Sequence, residues 1–416
     1  MKILILGNGG REHAIAWKLN AFSHEVFIHP GNAGTIKEGF PSFGTLTSPK
    51  EIASVAKEKN IALIIIGPEQ LLAEDYASTF RNLGFWVVGP AREAAKLETS
   101  KIFSKEFMVR AGVPTAHFTV YDNLDSFQRD LISFTYPTVL KLDGLAAGKG
   151  VTIAKNRQQA IAFAENVWVE QSFGPLPQRV LVEEFIAGVE LSYLGFCDGN
   201  TFLPLSSSTD FKRVFDSDEG PNTGGMGAVS PSPHLTVELE AQITRTIVAP
   251  ILSTLIQEKI EFRGILYIGI MIDNHKTPFV LEFNTRFGDP ETQSLLMRLD
   301  SDLLPTLMAT AKGELAKAPI LKWREETSIY VVGATAGYPE NPVLGSEITG
   351  LDSISPDTQV FLGGVAASSH GLVTSGGRVL GVGALGCTIS EAREKAYRRL
   401  RQISWKGMHY RTDIGL

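Results

Sequence analysis

The sequence predicts a multidomain protein that combines α/β and α+β folds. Its 416 residues are too many for one ordinary hydrophobic core. The first hundred residues alternate short apolar strands with helices, which is typical of a parallel, Rossmann-like sheet. A polar stretch at 312–327 contains a proline and indicates a boundary near 325. We therefore expect an N-terminal domain at 1–100, a central domain at 101–325 and a small C-terminal α+β domain at 326–416.

The N-terminal region contains four strand candidates, each closed by glycine or proline: Ile3–Leu6, Val26–Ile28, Leu63–Ile66 and Trp86–Val88. Helical stretches lie between them, at Glu12–Leu19, Pro49–Lys59 and Glu74–Leu83. Parallel sheets bind ligands at the carboxyl ends of their strands. The Gly-rich turns of this region fall at those ends, so we expect a ligand there.

The rest of the chain is predicted as a compact module followed by a larger block and a tail. The module, at about 118–188, has strands at Val139–Leu142, Val151–Ala154 and Val180–Glu184 and a helix at Gln158–Glu170. The block has strands near Leu191–Cys197, Phe202–Leu205, Ile265–Asp273 and Phe279–Phe283, a polar Gly-rich loop at 209–228, and helices at about 237–259, 291–299 and 302–311. The tail has strands at Ile329–Thr335 and Arg378–Ala384 and a helix at Ser390–Ile403.

Composition and charge exclude several classes of protein. The formal net charge of −6 argues against a broad basic face for nucleic acid, although a small phosphorylated substrate needs only a few local cations. Cys197 and Cys387 are 190 positions apart, so neither a disulfide framework nor a structural zinc site is expected. The apolar run Ile3–Leu6 is too short for a signal peptide or a membrane span. We expect a cytoplasmic protein.

The first candidate site is Gly7-Asn8-Gly9-Gly10-Arg11-Glu12-His13, which follows the first strand and opens a helix. Glycines let a backbone approach an anion, and a helix N-terminus offers free N–H groups. The third glycine of a dinucleotide fingerprint is absent, because position 12 is Glu, so a dehydrogenase fits poorly. By itself, the motif is about equally compatible with a phosphate site and with a tight turn that binds nothing.

The second candidate is Lys141 at a strand end, followed by the Gly/Ala-rich stretch Asp143–Gly150. A lysine on a buried strand is costly unless an anion pairs with it. A flexible glycine loop beyond it can fold over a polyphosphate, although the spacing is not that of a P-loop. A plain β-hairpin, with Lys141 extended to solvent, is the competing interpretation.

The third candidate runs from Glu282 to Glu291. On a strand, Glu282, Asn284 and Arg286 share one face because side chains alternate. Glu and Asn supply two oxygen ligands for a hard cation such as Mg²⁺, and the arginine suits a phosphoryl group or a carboxylate. An ordinary polar face of an edge strand would show the same alternation.

The fourth candidate is the loop that contains Asp210-Phe211-Lys212-Arg213 and Gly220-Pro221-Asn222-Thr223-Gly224-Gly225-Met226-Gly227. A glycine-dense loop with a cationic pair is suited to cover an anion. An ordinary mobile loop is the alternative.

Together these stretches resemble the ATP-grasp superfamily and, within it, the phosphoribosylamine–glycine ligase (glycinamide ribonucleotide synthetase) family. The resemblance covers the whole chain in the family's order. It rests on Gly7–His13, Pro30–Gly34, Gly67–Glu69, Leu97–Lys101, Asp143–Val151, Pro221–Gly227, Glu282–Gln293, Gly376–Leu380 and Arg411–Gly415. It implies an ATP-grasp core with a mobile lid, and ATP-dependent joining of glycine to 5-phosphoribosylamine through a glycyl phosphate in purine biosynthesis. ATP and Mg²⁺ (or Mn²⁺) are the implied cofactors, and a monomer is favoured.

The resemblance also implies roles for individual residues. Catalysis falls to Arg286, Asp210 and Lys141, and metal binding to Glu282 and Asn284. Nucleotide binding falls to Lys101, Lys141, Gly148, Lys149, Gly150, Glu183, Glu184 and Glu190. Substrate binding falls to Gly10, Arg11, Glu12, Asn32, Glu69, Asp210, Asn222, Thr223, Gly224, Gly225, Arg286 and Arg378.

The chain departs from the family's pattern at several positions. These are Gln70-Leu71-Leu72, Val189, Thr209, Phe211 and Leu362-Gly363-Gly364-Val365. Two alternatives therefore accompany the main interpretation: another ATP-grasp carboxylate–amine ligase of purine metabolism, and a nucleotide-binding homologue with reduced catalysis.

Overall fold

The computed structural model describes residues 1–145, 150–175, 177–352 and 357–416. Gly148 and Lys149, both predicted to bind nucleotide, lie outside the described residues. No helix in the described ranges is long and apolar enough to cross a membrane.

A four-stranded parallel sheet, in the order β2-β1-β3-β4, forms the N-terminal part. Its elements are β1 (Lys2–Gly7), α1 (Gly10–Asn20), β2 (Glu25–Pro30), α2 (Ala33–Lys37), α3 (Pro49–Glu58), β3 (Leu63–Ile66), α4 (Glu69–Ala73), α5 (Tyr76–Asn82) and β4 (Trp86–Val88). The side chains of Leu4 and Ile64 pack on one face and those of Ile3 and Ile65 on the other, so the strands are apolar throughout. The predicted parallel sheet is confirmed.

Two helices lead into a four-stranded antiparallel module. The elements are α6 (Arg92–Thr99), α7 (Lys101–Ala111), β5 (Phe118–Tyr121), α8 (Leu124–Asp130), β6 (Thr138–Leu142), β7 (Val151–Ala154), α9 (Arg157–Trp168) and β8 (Val180–Glu184), with sheet order β5-β8-β6-β7. The Ser100 side chain accepts a hydrogen bond from Phe103 N and so caps α7. The module has its own core, around Phe127, Leu140 and Trp168. We refer to residues 118–184 as the lid module.

The larger block contains a second antiparallel sheet, in the order β10-β9-β15-β16. Its elements are β9 (Gly188–Cys197), β10 (Phe202–Pro204), β11 (Thr209–Asp210), β12 (Arg213–Phe215), β13 (Glu219–Asn222), β14 (Gly227–Ser230), α10 (Val237–Ile243), α11 (Ala249–Gln257), β15 (Gly264–Asp273), β16 (Pro278–Asn284), α12 (Glu291–Arg298) and α13 (Leu304–Lys312). The predicted long helix is interrupted by a π-helical turn at Thr244–Val248 between α10 and α11.

The tail completes a five-stranded antiparallel sheet. Its elements are β17 (Thr327–Ala334), β18 (Thr358–Leu362), β19 (Val365–Ser368), β20 (Gly371–Thr374), β21 (Arg378–Gly386) and α14 (Ile389–Leu400). The sheet order is β11-β14-β17-β21-β18, so two strands from 209–230 join the sheet of the tail. The prediction of a polar Gly-rich loop at 209–228 was therefore wrong. One of its strands, β14, pairs with β17 about a hundred residues later, beyond the reach of local pattern, whereas β12 and β13 pair with each other.

Candidate active site

A cavity of about 540 Å³ lies where the N-terminal sheet, the lid module, β15–β16 and the tail meet. Fourteen of the predicted site residues line it: Arg11, Glu12, Glu69, Lys101, Lys141, Gly150, Glu183, Asp210, Thr223, Gly224, Glu282, Asn284, Arg286 and Arg378. Residues far apart in sequence therefore meet in one polar space.

Two buried lysines share one buried carboxylate on the lid side of the cavity. Lys141 Nζ lies 2.9 Å from Glu183 Oε1, and Lys105 Nζ lies 3.1 Å from Glu183 Oε2. Burial lowers the pKa of Lys105 to about 8, against the opposing effect of Glu183. Lys141 is thus buried and paired rather than extended to solvent, because β6 and β8 are neighbouring strands.

Glu282 projects from β16 towards three lysines. Burial by itself disfavours its charged form, but Lys212, Lys141 and Lys101 together lower its pKa to about 2. The carboxylate is therefore ionised at neutral pH. Lys212 Nζ lies 3.5 Å from Glu282 Oε1 and also pairs with Glu190.

The donors at the end of β16 fit a magnesium ion. Glu282 and Asn284 both line the cavity and offer a carboxylate and an amide oxygen. No group of three or more His, Cys, Asp or Glu side chains suited to a metal occurs in the described part of the chain. A Mg²⁺ ion here would therefore take its remaining ligands from phosphate oxygens and water, as this ion commonly does.

Arg286 is held by two glutamates beyond the end of β16. Its Nη2 lies 2.9 Å from Glu98 Oε1, and its Nε lies 3.4 Å from Glu69 Oε2. Burial opposes charge, but Glu98 and Glu69 raise the pKa of Arg286. Strand pairing stops at Asn284 because the Thr285 N–H donates to Glu98 Oε2 (2.7 Å). The prediction that Arg286 lies on the strand itself was therefore wrong, although its side chain still reaches the cavity.

Asp210 lies beside a second buried carboxylate. Burial, and next the charge of Glu291, raise the pKa of Asp210 well above its ordinary value. Its Oδ1 is buried and accepts no hydrogen bond from the residues that the structure describes. Glu291 Oε1 accepts a hydrogen bond from Ser192 Oγ (3.0 Å), whose oxygen is 2.9 Å from Tyr267 Oη. An unpaired buried acceptor in a cavity indicates a ligand that donates to it.

Arg378, at the start of β21, ties the tail to the glycine loop. It forms an ion pair with Asp289 (2.8 Å) and donates to the backbone oxygens of Asp289 (2.8 Å) and Gly224. Gly224 N donates to Tyr338 Oη (3.0 Å). Gly224 is therefore held at the cavity by tail residues.

A second cavity of about 360 Å³ adjoins the first, sharing Asn8, Gly9, Asp289 and Arg378 as wall residues. Gly10 and Asn32 line this second cavity rather than the first. Asn32 donates to Asn8 O (2.8 Å) and Leu362 O (3.1 Å), while its Oδ1 accepts from Thr35 N (2.9 Å). The Asn32 side chain therefore connects the backbone segments around Asn8, Thr35 and Leu362.

Comparison with known proteins assigns this architecture to a family. Models of the phosphoribosylglycinamide synthetase N domain, ATP-grasp (A) domain and C domain match residues 1–98, 99–292 and 328–416. The chain belongs to the phosphoribosylamine–glycine ligase family.

Individual relatives agree with that assignment. The chain is 42% identical to the phosphoribosylamine–glycine ligase of Xylella fastidiosa (strain 9a5c), over 100% of this chain and 96% of the relative. It is 44% identical to that of Caulobacter vibrioides, covering 100% and 98%. The crystal structure of the Thermotoga maritima phosphoribosylamine–glycine ligase matches with a TM-score of 0.86 at 33% identity, over the whole of both chains. Biotin carboxylase from Campylobacter jejuni shares the fold alone, with a TM-score of 0.74 at 15% identity and coverage of 98% and 92%.

Four residues predicted from the family resemblance are not among the described wall residues of either cavity: Glu184, Glu190, Asn222 and Gly225. Glu184 is exposed at the end of β8. Glu190 is paired with Lys212, and Asn222 pairs with Arg213 across a hairpin. Gly225 has φ +105°, and a side chain there would meet Asp210 Oδ1 at 2.7 Å, so it shapes the wall from behind.

Nine polar wall residues of the first cavity were not assigned individual roles from the sequence: Asn8, Glu98, Ser104, Lys105, Lys212, Tyr267, Asp289, Glu291 and Tyr338. Lys105 lies one helical turn after Lys101, so its spacing could have identified it. Asp289 and Glu291 belong to the third candidate stretch and Lys212 to the fourth. Glu98 belongs to the stretch Leu97–Lys101 that carries the family resemblance, although no role was assigned to it. For Tyr267 we find no local signal, because only the fold brings it to the cavity.

The departures from the family's pattern lie mostly behind the walls. Gln70 is exposed on α4 and donates to Glu74 (3.1 Å). Phe211 packs with the core of the tail. Leu362 contributes backbone atoms: its N–H donates to His13 Nδ1 (2.9 Å), and its oxygen accepts from Asn32. Gly363, Gly364 and Val365, in contrast, line the second cavity, so these changes alter part of its wall.

Proposed function

We propose that this chain joins glycine to 5-phosphoribosylamine at the expense of ATP, producing glycinamide ribonucleotide, ADP and phosphate in de novo purine biosynthesis. The observation that carries this function is the meeting of Lys101, Lys141, Glu282, Asn284 and Arg286 in one cavity of a chain that belongs to this ligase family. Such enzymes work mainly by positioning reactants and neutralising charge.

The phosphoryl-transfer side of the reaction is assigned to the lysines and Glu282. Lys101 and Lys141 bind phosphate oxygens of ATP, and Gly148-Lys149-Gly150 close over them. Glu282 and Asn284 hold Mg²⁺, or Mn²⁺ as an alternative ion, which when bound neutralises charge on the phosphates. Glu183 keeps Lys141 in place, while Glu184 and Glu190 contact the nucleotide when the lid module closes.

Glycine binds between the nucleotide and the loop that contains Thr223 and Gly224. A carboxylate is a poor electrophile, so the γ-phosphoryl group is first transferred to it, giving glycyl phosphate. Arg286 neutralises the charge that this transfer develops. Asp210 accepts a hydrogen bond from the glycine amino group through its unpaired Oδ1, with Asn222 and Gly225 supporting that wall.

Phosphoribosylamine is assigned to the N-terminal side, where Arg11, Glu12 and Glu69 face the first cavity and Gly10, Asn32 and Arg378 the second. Gly10 opens α1, so the free N–H groups of that helix suit the phosphate of the sugar. The amine nitrogen then attacks the acyl carbon of glycyl phosphate, and phosphate leaves. We propose that the enzyme acts as a monomer in the cytoplasm.

The test is ADP release by the purified chain with Mg²⁺-ATP, omitting each acceptor in turn. We expect release to require both glycine and phosphoribosylamine. The variant Glu282→Gln should lower the rate by at least about a hundredfold because it removes a metal ligand, whereas the exposed Glu219→Gln should not. Release with a different carboxylate or amine would instead identify another ligase, and ATP binding without turnover would identify a homologue with reduced catalysis.

A further inference from the structure

The C-terminal motif Arg411–Gly415 takes part in no step proposed above, yet it contains one of the largest fully buried side chains of the described protein, Arg411. Two parallel 2.7 Å hydrogen bonds join its guanidinium to Asp413, and a third bond of 2.7 Å reaches Asp218 Oδ1. Paired arginine–carboxylate bonds of this kind fix direction as well as distance. Arg411 thus connects the chain end to a segment almost two hundred residues earlier.

That segment is the turn of the β12–β13 hairpin. Thr412 N and Oγ1 donate to the two carboxylate oxygens of Asp216, at 2.7 and 2.5 Å. Ser217 N donates to Asp413 Oδ2 (2.8 Å). Ser217 and Asp218 have φ of +60° and +53°, a backbone conformation that residues other than glycine seldom adopt. Residues 411–413 therefore hold all three turn residues.

The open end of the same hairpin lies at the active site. One arm continues to Asp210 and Lys212 and the other to Thr223 and Gly224, and all four residues line the first cavity. The arms are joined where Thr223 N and Oγ1 donate to Lys212 O, at 2.7 and 2.9 Å. The arms are three and four residues long, so the turn and the cavity are only about 10–14 Å apart.

Phe211 provides a second link from Arg411 to the cavity. The guanidinium carbon lies 5.2 Å from the centre of the Phe211 ring, within the range of a cation–π contact. Phe211 stands between Asp210 and Lys212 in sequence, and its backbone bonds to Gly227 O and Met226 N. The ring faces Arg411 while its neighbours face the cavity.

The hairpin has some further support, since Val214 is buried with Met226 and Ala334, and Val214 O lies 2.8 Å from His409 Nε2. β12 and β13 form a two-stranded sheet that pairs with no third strand among the described residues. Isolated two-stranded hairpins are marginally stable in water. The contacts of residues 411–413 with the turn therefore add to the contacts along β12 in fixing the location of the hairpin.

We infer that Arg411 is a positioning residue: with Thr412 and Asp413 it holds the β12–β13 hairpin in the register that presents Asp210, Lys212 and Thr223 to glycine. This inference rests on the proposed function for its kinetic consequence. It predicts that weakening the tail–hairpin contacts impairs the use of glycine while ATP binding, which depends on Lys101 and Lys141, is retained.

Two variants and one control test it. Arg411→Lys keeps the charge but loses the paired geometry, and Asp216→Asn weakens the bonds to Thr412 from an exposed position. Arg398→Gln is the control, because Arg398 is an exposed arginine of α14 that pairs with Glu394. We expect the two variants to raise KM for glycine or lower kcat on the order of tenfold or more. Their affinity for ATP, and all parameters of the control, should stay within about twofold of the wild type.

Hydrogen–deuterium exchange gives a readout that needs no turnover. In Arg411→Lys and Asp216→Asn, exchange should increase within 209–225 and stay unchanged in the β15–β16 sheet. Unchanged glycine kinetics and unchanged exchange in the Asp216→Asn variant would refute the inference. A parallel loss of ATP binding, glycine use and melting temperature in both variants would also refute it, since that is general destabilisation. If the wild type itself shows no glycine-dependent turnover, the proposed function fails, and exchange alone decides whether the tail positions the hairpin.

Discussion

At the residue scale, the lid side of the cavity has three lysines, Lys101, Lys105 and Lys141, with only one carboxylate, that of Glu183, within ion-pair distance among the described residues. Lys101 has a pKa lowered mainly by burial, and its Nζ donates to a backbone oxygen, that of Gly144 (2.7 Å). Lys105 and Lys141 share the single carboxylate of Glu183. A polyphosphate entering the cavity would restore the favourable interaction that burial has removed. The residue pattern is therefore that of a site prepared for an anion.

Removing the shared carboxylate should damage stability more than any exposed change nearby. In Glu183→Gln, two buried lysines lose their anion, so we expect the free energy of unfolding to fall by about 3–5 kcal/mol. The matched control is Glu184→Gln, at the next and exposed position of β8, with an expected change within about 0.5 kcal/mol. Urea unfolding of both variants measures the difference. Equal stabilities would mean that Glu183 is not the anchor of Lys105 and Lys141.

At the scale of elements, one lysine of the N-terminal helix α1 forms a hydrogen bond with the end of α12. Lys18 Nζ donates to Leu299 O, and its charge lies 5.4 Å from the centre of the Phe22 ring. Burial lowers the pKa of Lys18 to about 8, with Asp300 acting in the opposite direction. The contact joins the N-terminal part of the chain to the block that contains β15, β16 and α12.

This lysine predicts a pH dependence of stability. Between about pH 8 and the unfolded value near 10.5, Lys18 binds fewer protons in the folded state than in the unfolded state. Its contribution to stability therefore rises with pH across that window. The difference in unfolding free energy between wild type and Lys18→Met should shift in favour of the wild type from pH 7.5 to 9.5. The exposed Lys37→Met should show no such shift, and a shift of opposite sign for Lys18→Met would contradict the assignment.

At the scale of the whole molecule, we expect one body, the lid module, to move relative to the rest. The lid module packs its own core. In contrast, one continuous core contains residues from β1, β15, α12 and β17, among them Ile3, Ile265, Leu295 and Tyr330. A lid that packs around its own core can close over a rigid base by a hinge motion, because few packing contacts are lost.

Closure of the lid should be visible on ATP binding. We expect Mg²⁺-ATP to slow hydrogen exchange in β6 and β7 of the lid module, which contains Lys141, a proposed phosphate ligand. Exchange in α14 should stay the same. Lys141→Met, which would remove the proposed phosphate contact, should abolish the protection. Protection that is absent in the wild type, or that spreads evenly to α14, would contradict a lid.

The fold and about half of the residues of the candidate site could be predicted from local sequence patterns. The other site residues could not, because contacts between distant segments bring them to the cavity. Glu282 and Asn284 were predictable because they alternate on one strand beside Gly-Asp-Pro-Glu. Glu98 was not, because its partner Arg286 is far away in sequence. The domain boundary near 325 stays a prediction, and the sheet that pairs β14 with β17 crosses it. Short strands with remote partners are the common weakness of sequence-based prediction.

The pairing of β14 with β17 limits when this part of the protein can fold during translation. During translation, β14 emerges about a hundred residues before its partner, and until then its edge is unpaired. Domains fold progressively as the ribosome releases them, so the N-terminal sheet and the lid module can form first. The wall around Asp210 cannot form at that stage, because it also needs β17 and the contacts of residues 411–413 with the hairpin turn. A nascent chain arrested before Thr327 would therefore be inactive and prone to associate with other chains through that strand.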